Sequence, residues 1–426
     1  MNTRSTRVTG SPVTHFFTLA VLAAALAGCG GGGGAVSSNA TSQPTGSTVT
    51  AQTDRQPAGA AALAPDPATR VNTDSAGAQT LRAIGATSDG GYSVSWFSQP
   101  PGATAALRLQ HFDATGARSG ADHAVTLDAG QNGVAAAVLP DGGLAVATAV
   151  VATGADTEPW ITRSSIVVRR HDANGSPARA PVEVAAITQD RTGATTMRYV
   201  AQPSVARWAD GSFVVGWQVI EETAGVRTPQ AWTQRFDALG NPIGSPVVAG
   251  RADADTSYQL IAVPTGGYIV ATAQRVMGRT FIQYAGFDGA VAPVFPAGAL
   301  GTAEGSLLLP LEGGGMVLFA PAHTYGSVQR YAGDGQPAGS STSLPAMPLA
   351  AVALPGGGWI TFSASGGAEL SGQRFDAGGQ REGDAFAVAP GALAPQGAVL
   401  QGGSLGLAWT TDAGGDTDVM TQRLRP

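Results

Sequence analysis

The sequence predicts an all-β fold, a β-propeller of seven four-stranded blades, on three observations. Glycine-rich turns recur seven times. Each opens a strand whose alternate residues are apolar. Seven later strand ends, three of them reading Arg-aromatic-Asp, complete a repeat of about 50 residues with no helical periodicity. Four strands per repeat is the signature of a propeller blade. Six or eight blades, or two separate β-domains, are the alternatives.

The first 28 residues carry Arg4 and Arg7 and no acid, followed by the apolar run Phe16–Ala27. That length suits the core of an export signal and is too short to span a bilayer as a helix. The run ends in Leu26-Ala27-Gly28-Cys29, and Cys29 is the single cysteine of the chain. This stretch resembles a bacterial lipoprotein signal. The resemblance implies that residues 1–28 are removed and that Cys29 carries lipid. Gly30, where an Asp would hold such a protein in the inner membrane, points to the outer membrane of a Gram-negative cell envelope. Residues 29–67 open with glycines from Gly30 to Gly34 and continue in Ser, Thr, Ala, Gln and Pro. No apolar period appears there, so a disordered tether is expected, with the propeller domain at 68–426.

The repeat begins with a spare segment. The last copy stops after its third strand at Pro426, so Thr69–Thr73 is expected to supply the missing fourth and close the ring. The glycine turns are Asp89-Gly90-Gly91, Asp141-Gly142-Gly143, Asp210-Gly211-Ser212, Gly266-Gly267, Gly313-Gly314-Gly315, Gly356-Gly357-Gly358 and Gly402-Gly403-Ser404. Strands such as Tyr92/Val94/Trp96 and Phe213/Val215/Trp217 follow them. The third strands end at Phe112-Asp113, His171-Asp172, Phe236-Asp237, Phe287-Asp288, Tyr331-Ala332, Phe375-Asp376 and Leu424. The third copy, "ADGSFVVGW" with "TQRFDALGNPIG", resembles repeats of a loose group of bacterial exported proteins. That resemblance, over about Arg70 to Arg425, implies fold rather than activity.

In "FDALG" the Asp is read as a turn residue accepting a backbone N–H two positions on, with glycine taking the left-handed turn position. Arg235 and Asp237 share a strand face, so a partly buried Arg bonded to that Asp is expected, with Phe236 packed into a neighbouring blade.

Composition excludes several chemistries. There is no lysine, so all 24 basic residues are arginine, and phosphate-loop and Schiff-base lysines are ruled out. Beyond the leader, 22 arginines face 30 acids, which argues against nucleic acid as a partner. Cysteine-based metal and redox sites are excluded, and no two of His111, His123, His171 and His323 stand at ligand spacing. Asp412, Asp416 and Asp418 cluster without the ordered spacing of a calcium loop, as do Asp253 and Asp255. No metal, cofactor or catalytic residue is assigned. The "SDGGYSVSW" stretch lacks the spacing of a sialidase box. The first strands, expected to line the central channel, hold Arg82 and Arg207 but no carboxylate or histidine, which disfavours acid–base catalysis there.

All variation in length falls on the face opposite the glycine turns. The stretches Val151–Ser165, Ile187–Val200 and Ile220–Ala231 are expected as long loops of blades 2 and 3. Glu158, Trp160, Arg163, Glu221, Glu222, Arg227 and Trp232 are the candidate ligand-binding residues. The sequence therefore reads as a lipid-anchored monomer that binds a protein or glycan through these loops. The alternative is a periplasmic hydrolase or lyase with its site on the same face.

Overall fold

Period-two apolar runs behind the glycine turns become strands, because alternate side chains then bury against adjacent sheets. A computed structural model describes residues 63–426, apart from 128–130, 154–160, 191–194, 252–257, 265, 277–278, 288–297, 302–305, 313, 323–324, 334, 366–368 and 413–415. The leader, Cys29 and most of the expected tether lie outside the described residues. Among the described residues the regular structure is all strand apart from one three-residue 3-10 turn at Gln401–Gly403.

Consecutive antiparallel strands form each blade. Blade 1 comprises Ala78–Ala86, Tyr92–Gln99, Ala106–Phe112 and Arg118–Val125. Blade 2 comprises Gln131–Val138, Leu144–Thr153, Ile161–His171 and Val182–Asp190, and blade 3 comprises Thr196–Arg207, Phe213–Thr223, Val226–Phe236 and Pro242–Arg251. Blades 4, 5 and 6 begin at Tyr258, Leu307 and Ala350 and keep the same order. The closing sheet holds Ala392–Val399, Leu405–Asp412 and Thr417–Arg425. The first strands of these sheets neighbour one another in a closed circuit that ends back at blade 1. The propeller architecture is thus as expected.

The expectation of seven four-stranded blades is corrected. Six blades are four-stranded, and the remaining sheet is a five-stranded composite. Thr69–Arg70 pairs with Thr421 and Met420, and Ala64–Pro65 pairs with Arg425 and Leu424. The closing segment is therefore longer than Thr69–Thr73 and starts inside the expected tether, where Leu63 is already buried. The Asp66 N–H donates to Arg423 O at 2.8 Å and the Val71 N–H to Val419 O at 2.7 Å. Two edges that would each expose unpaired backbone are joined into one sheet.

That closure also accounts for the C-terminal acids. Asn72 Nδ2 donates to Asp418 Oδ1 at 2.6 Å, Arg70 approaches Asp418 at 3.9 Å, and the Gly77 N–H donates to Asp416 Oδ1 at 3.1 Å. Asp416 and Asp418 hold the N-terminal segment.

The core lies between blades. Trp217, Phe213 and Phe236 of blade 3 pack with Leu139, Ala147 and Ile166 of blade 2, while Trp96, Val94 and Tyr92 of blade 1 pack with Ala408 and Val419 of the closing sheet. Trp96, Trp217, Trp359 and Trp409 are each no more than 2% exposed. At roughly 25 cal/mol per Å² of apolar surface, each such side chain contributes several kcal/mol before entropy is counted.

Candidate functional site

The repeated "QRFDA" element is structural at every position. Gln234 Nε2 donates to the carbonyls of Arg235, Ile243 and Gly244, clamping a bulge in the fourth strand. Gln110, Gln329 and Gln373 make corresponding bonds. Phe236 stacks on Phe213 at 4.9 Å, as Phe112 does on Tyr92 at 4.9 Å and Phe375 on Trp359 at 5.4 Å. Asp237 Oδ1 accepts the N–H groups of Leu239 and Asn241 at 2.9 and 2.7 Å, and Gly240 takes φ +82°. The turn reading of the Asp and Gly holds. The Arg reading is refined: the Arg235 guanidinium lies over the Trp208 ring at 4.9 Å, while Asp237 is engaged by its own turn.

The face bearing the glycine turns has one feature the sequence did not announce. Thr87, Ser88, Asp89, His111, Pro140 and Asp141 contribute to a pocket of about 360 Å³ between blades 1 and 2. His111 Nε2 is 2.6 Å from Ala173 O, so it carries the proton and donates. His111 Nδ1 is then free to accept the Ser93 hydroxyl at 2.6 Å. Ser93 is 0% exposed, so this pair presents no nucleophile to solvent. Asp89 is held below the usual carboxylate range, first by the Thr87 hydroxyl and then by the Gly91 N–H. Arg170 pairs with Asp141. The available signal was a departure from the repeat: His111 stands where blade 3 has Arg235, and Ser93 stands where it has Val214.

On the opposite face, the expected loops are largely strand. Blade 3's second and third strands pair without a break from Phe213↔Phe236 to Thr223↔Val226, joined by Ala224 and Gly225 with φ +51° and +80°. Two positive φ values suit a tight two-residue hairpin turn. The first strand extends with them, pairing Thr196↔Thr223 through Ala201↔Gln218. In blade 2, strands run to Thr153 and resume at Ile161. The correction has a simple cause: strand pairing needs only backbone groups, and a hairpin satisfies the backbone that a loop would leave to water.

Blades 2 and 3 are tied together there. The Arg198 N–H donates to Gln189 Oε1 at 2.6 Å, and Gln189 Nε2 donates to Thr196 O at 2.5 Å. The Val200 N–H donates to Ser164 Oγ at 3.1 Å.

Glu158 and Trp160 lie outside the described residues. Arg163 makes a two-pronged pair with Glu183 at 2.8 and 2.6 Å. Arg227 Nε donates to Glu222 Oε2 at 2.9 Å across the hairpin. Glu221 is exposed and, one residue along the strand, points to the other face of the sheet from Glu222. Trp232 is half-buried against the blade 2–3 core rather than displayed as an anchor. Glu222 and Arg227 are thus brought together, whereas Arg163 and Trp232 serve elsewhere. Among the described residues no three His, Cys, Asp or Glu side chains converge to hold a metal ion.

The first strands of all seven sheets contain no Asp, Glu or His. Their charged groups near the channel are Arg82 and Arg207, and burial lowers both pKa values.

No family model and no curated protein matches the chain. Solved structures match its fold. The polysaccharide lyase Uly1 aligns with TM-score 0.52 and 9% identity over 85% of this chain and 99% of that one. A protein of unknown function from Dyadobacter fermentans DSM 18053 aligns at 0.48 and 10% over 85% and 99%. A BBS1 N-terminal domain solved with ARL6 aligns at 0.47 and 14% over 85% and 97%.

Proposed function

We propose that the protein is a lipid-anchored binding module of the cell envelope, held through Cys29 at the outer membrane and engaging a protein or glycan through the hairpin face of blades 2 and 3. The observation that carries this reading is the pairing on that face. Arg163 and Arg227 are neutralised by Glu183 and Glu222 on the long second, third and fourth strands of blades 2 and 3. Such a surface is rigid and polar, with its charges oriented for recognition. Among the described residues, the first strands themselves carry no acid or imidazole to serve as a general base. The polysaccharide lyase among the similar folds puts polysaccharides first among ligands to test.

The alternative is a hydrolase or lyase on the same face. It needs a second free carboxylate beside Glu221, and Glu222 is engaged with Arg227.

The test shortens the blade 3 hairpin. Ile220 and Pro229 are register partners, so Glu221–Thr228 can be replaced by an Asn-Gly turn without disturbing the ring. Envelope crosslinking and a polysaccharide binding panel then compare the two proteins. Loss of recovered partner or bound glycan supports the reading, and equal recovery overturns it. Turnover of a polysaccharide that Glu221→Gln abolishes would establish the alternative. Separately, Cys29→Ser should move the protein from the membrane to the soluble fraction, and unchanged membrane association would remove the lipid anchor.

A further inference from the structure

Two arginines of the first strands, Arg82 and Arg207, have no acid paired with them among the described residues. Arg207 ends the first strand of blade 3, yet its Nη2 donates to Ala86 O, at the end of the first strand of blade 1, at 3.3 Å. Blade 2 stands between those two blades in the ring. The Arg207 side chain therefore reaches past Val138 at the end of the first strand of blade 2. A Cβ on Gly85 would meet Val138 Cβ at 2.7 Å and Arg207 Nη2 at 3.0 Å, so the glycine leaves room for both. This single long bond to a neutral carbonyl is the Arg207 guanidinium's whole complement among the described residues.

Arg82 stands four residues earlier on the strand that Arg207 reaches, about 13 Å along the backbone at strand rise. It is the extra residue of a bulge between Leu81 and Ala83. Its Cζ lies 4.7 Å from the Phe97 ring centroid, and its Nε is buried without a partner. Three other arginines of the blades pair with acids: Arg108 with Asp122, Arg163 with Glu183 and Arg374 with Glu382. The first strands offer no acid for such pairing. A half-buried guanidinium stripped of water and left unpaired is costly, and a bound anion removes that cost. The fork of N–H donors fits the oxygens of an oxyanion.

We infer that the central channel binds an oxyanion, the sulfate, phosphate or carboxylate group of a ligand, on the Arg207 guanidinium with Arg82 as the second cation. This site is distinct from the hairpin face and does not depend on its role.

Calorimetric titration and thermal melts with sodium sulfate at constant ionic strength test it. Wild-type protein should bind sulfate saturably and melt at higher temperature with it. Arg207→Gln should weaken sulfate binding at least tenfold, and Arg82→Gln should weaken it less. Arg207→Lys, which keeps the charge and loses the fork, should fall between wild type and Arg207→Gln. Arg381→Gln, at an exposed outer strand, should bind as wild type does. Without sulfate, Arg207→Gln should melt no lower than wild type, because it removes an unpaired charge; a purely structural arginine would give a lower melt. Dextran sulfate at equal sulfate concentration separates a free ion from a group carried on a polymer: tighter binding through the same arginines assigns the polymer, and no gain assigns the ion. Sulfate affinity unchanged in both Arg207→Gln and Arg82→Gln, or no saturable binding by wild type, overturns the inference.

Discussion

Replacing Asn72 with alanine should destabilise the protein by about 3–4 kcal/mol. Asn72 is 2% exposed and sits where the N-terminal segment meets the last strand. Its Nδ2 donates to Asp74 O at 2.8 Å and to Asp418 Oδ1 at 2.6 Å, and its Oδ1 accepts the Val419 N–H at 2.8 Å. Each neutral bond contributes about 1 kcal/mol net, and the bond to a carboxylate about 1.5–2 kcal/mol, while alanine leaves the Val419 N–H buried and unpaired. At about 2.1 cal/mol/K of unfolding entropy per residue, a domain this long shifts by about 1.3 °C per kcal/mol. The melting temperature should therefore fall by about 4–5 °C in calorimetry at pH 7. Asn241→Ala, at an exposed turn, is the comparison and should shift by less than about half that amount. Asp418→Ala combined with Asn72→Ala should cost less than the two separately, because they share a bond. A fall of under about 1 °C for Asn72→Ala, or strict additivity of the pair, would refute the claim that this residue latches the ring.

Three other outcomes are expected. Asp89 and Asp210 are held below the usual carboxylate range, first by the hydroxyls of Thr87 and Ser212 respectively. Their folded pKa values are depressed, so their contribution is present above the unfolded value of 3.8 and is lost as pH falls through the folded value. Melting temperature should drop below about pH 4, and less steeply in an Asp89→Asn, Asp210→Asn double variant; parallel pH profiles would count against it. Tyr258→Phe removes the partner of Ser204 Oγ at 2.7 Å and of Gln202 O at 2.9 Å, where burial pushes the phenol well up, and should cost about 1–3 kcal/mol in a urea melt. No loss there would mean that water replaces the hydroxyl. Ala224→Gly relieves φ +51° and should stabilise the hairpin by about 0.5–1 kcal/mol; a destabilised variant would place the strain elsewhere.

The repeat made the blades legible because its signals are local. A glycine at φ +85° such as Gly142, an aromatic two strands away and an Asp-capped turn all leave marks within a few residues. The same locality explains what stayed hidden. Gln234 looked like an ordinary polar strand residue, since two of its three acceptors, Ile243 O and Gly244 O, lie on the next strand. The hairpin at Glu221–Thr228 read as a loop because charged residues interrupt its apolar alternation, although strand pairing there needs only backbone. Trp232 packs half-buried against the blade 2–3 core, a placement that depends on which blade lies alongside. Arg207 could be assigned to a first strand, but not to a reach past Val138. The Ser93–His111 pair was visible only as two departures from a pattern whose meaning came from the fold.

Ring closure also sets the order of events in making the protein. The bond from Gln422 to Asp66 O joins residues 356 positions apart, so almost the whole chain must be synthesised before the first strands find their partner. Until then the N-terminal segment and an open blade edge wait together, and folding of so non-local a pairing is slow. A nascent chain is therefore most exposed to wrong pairing just before completion. A truncation of about ten residues at either terminus of the ring would damage the same sheet.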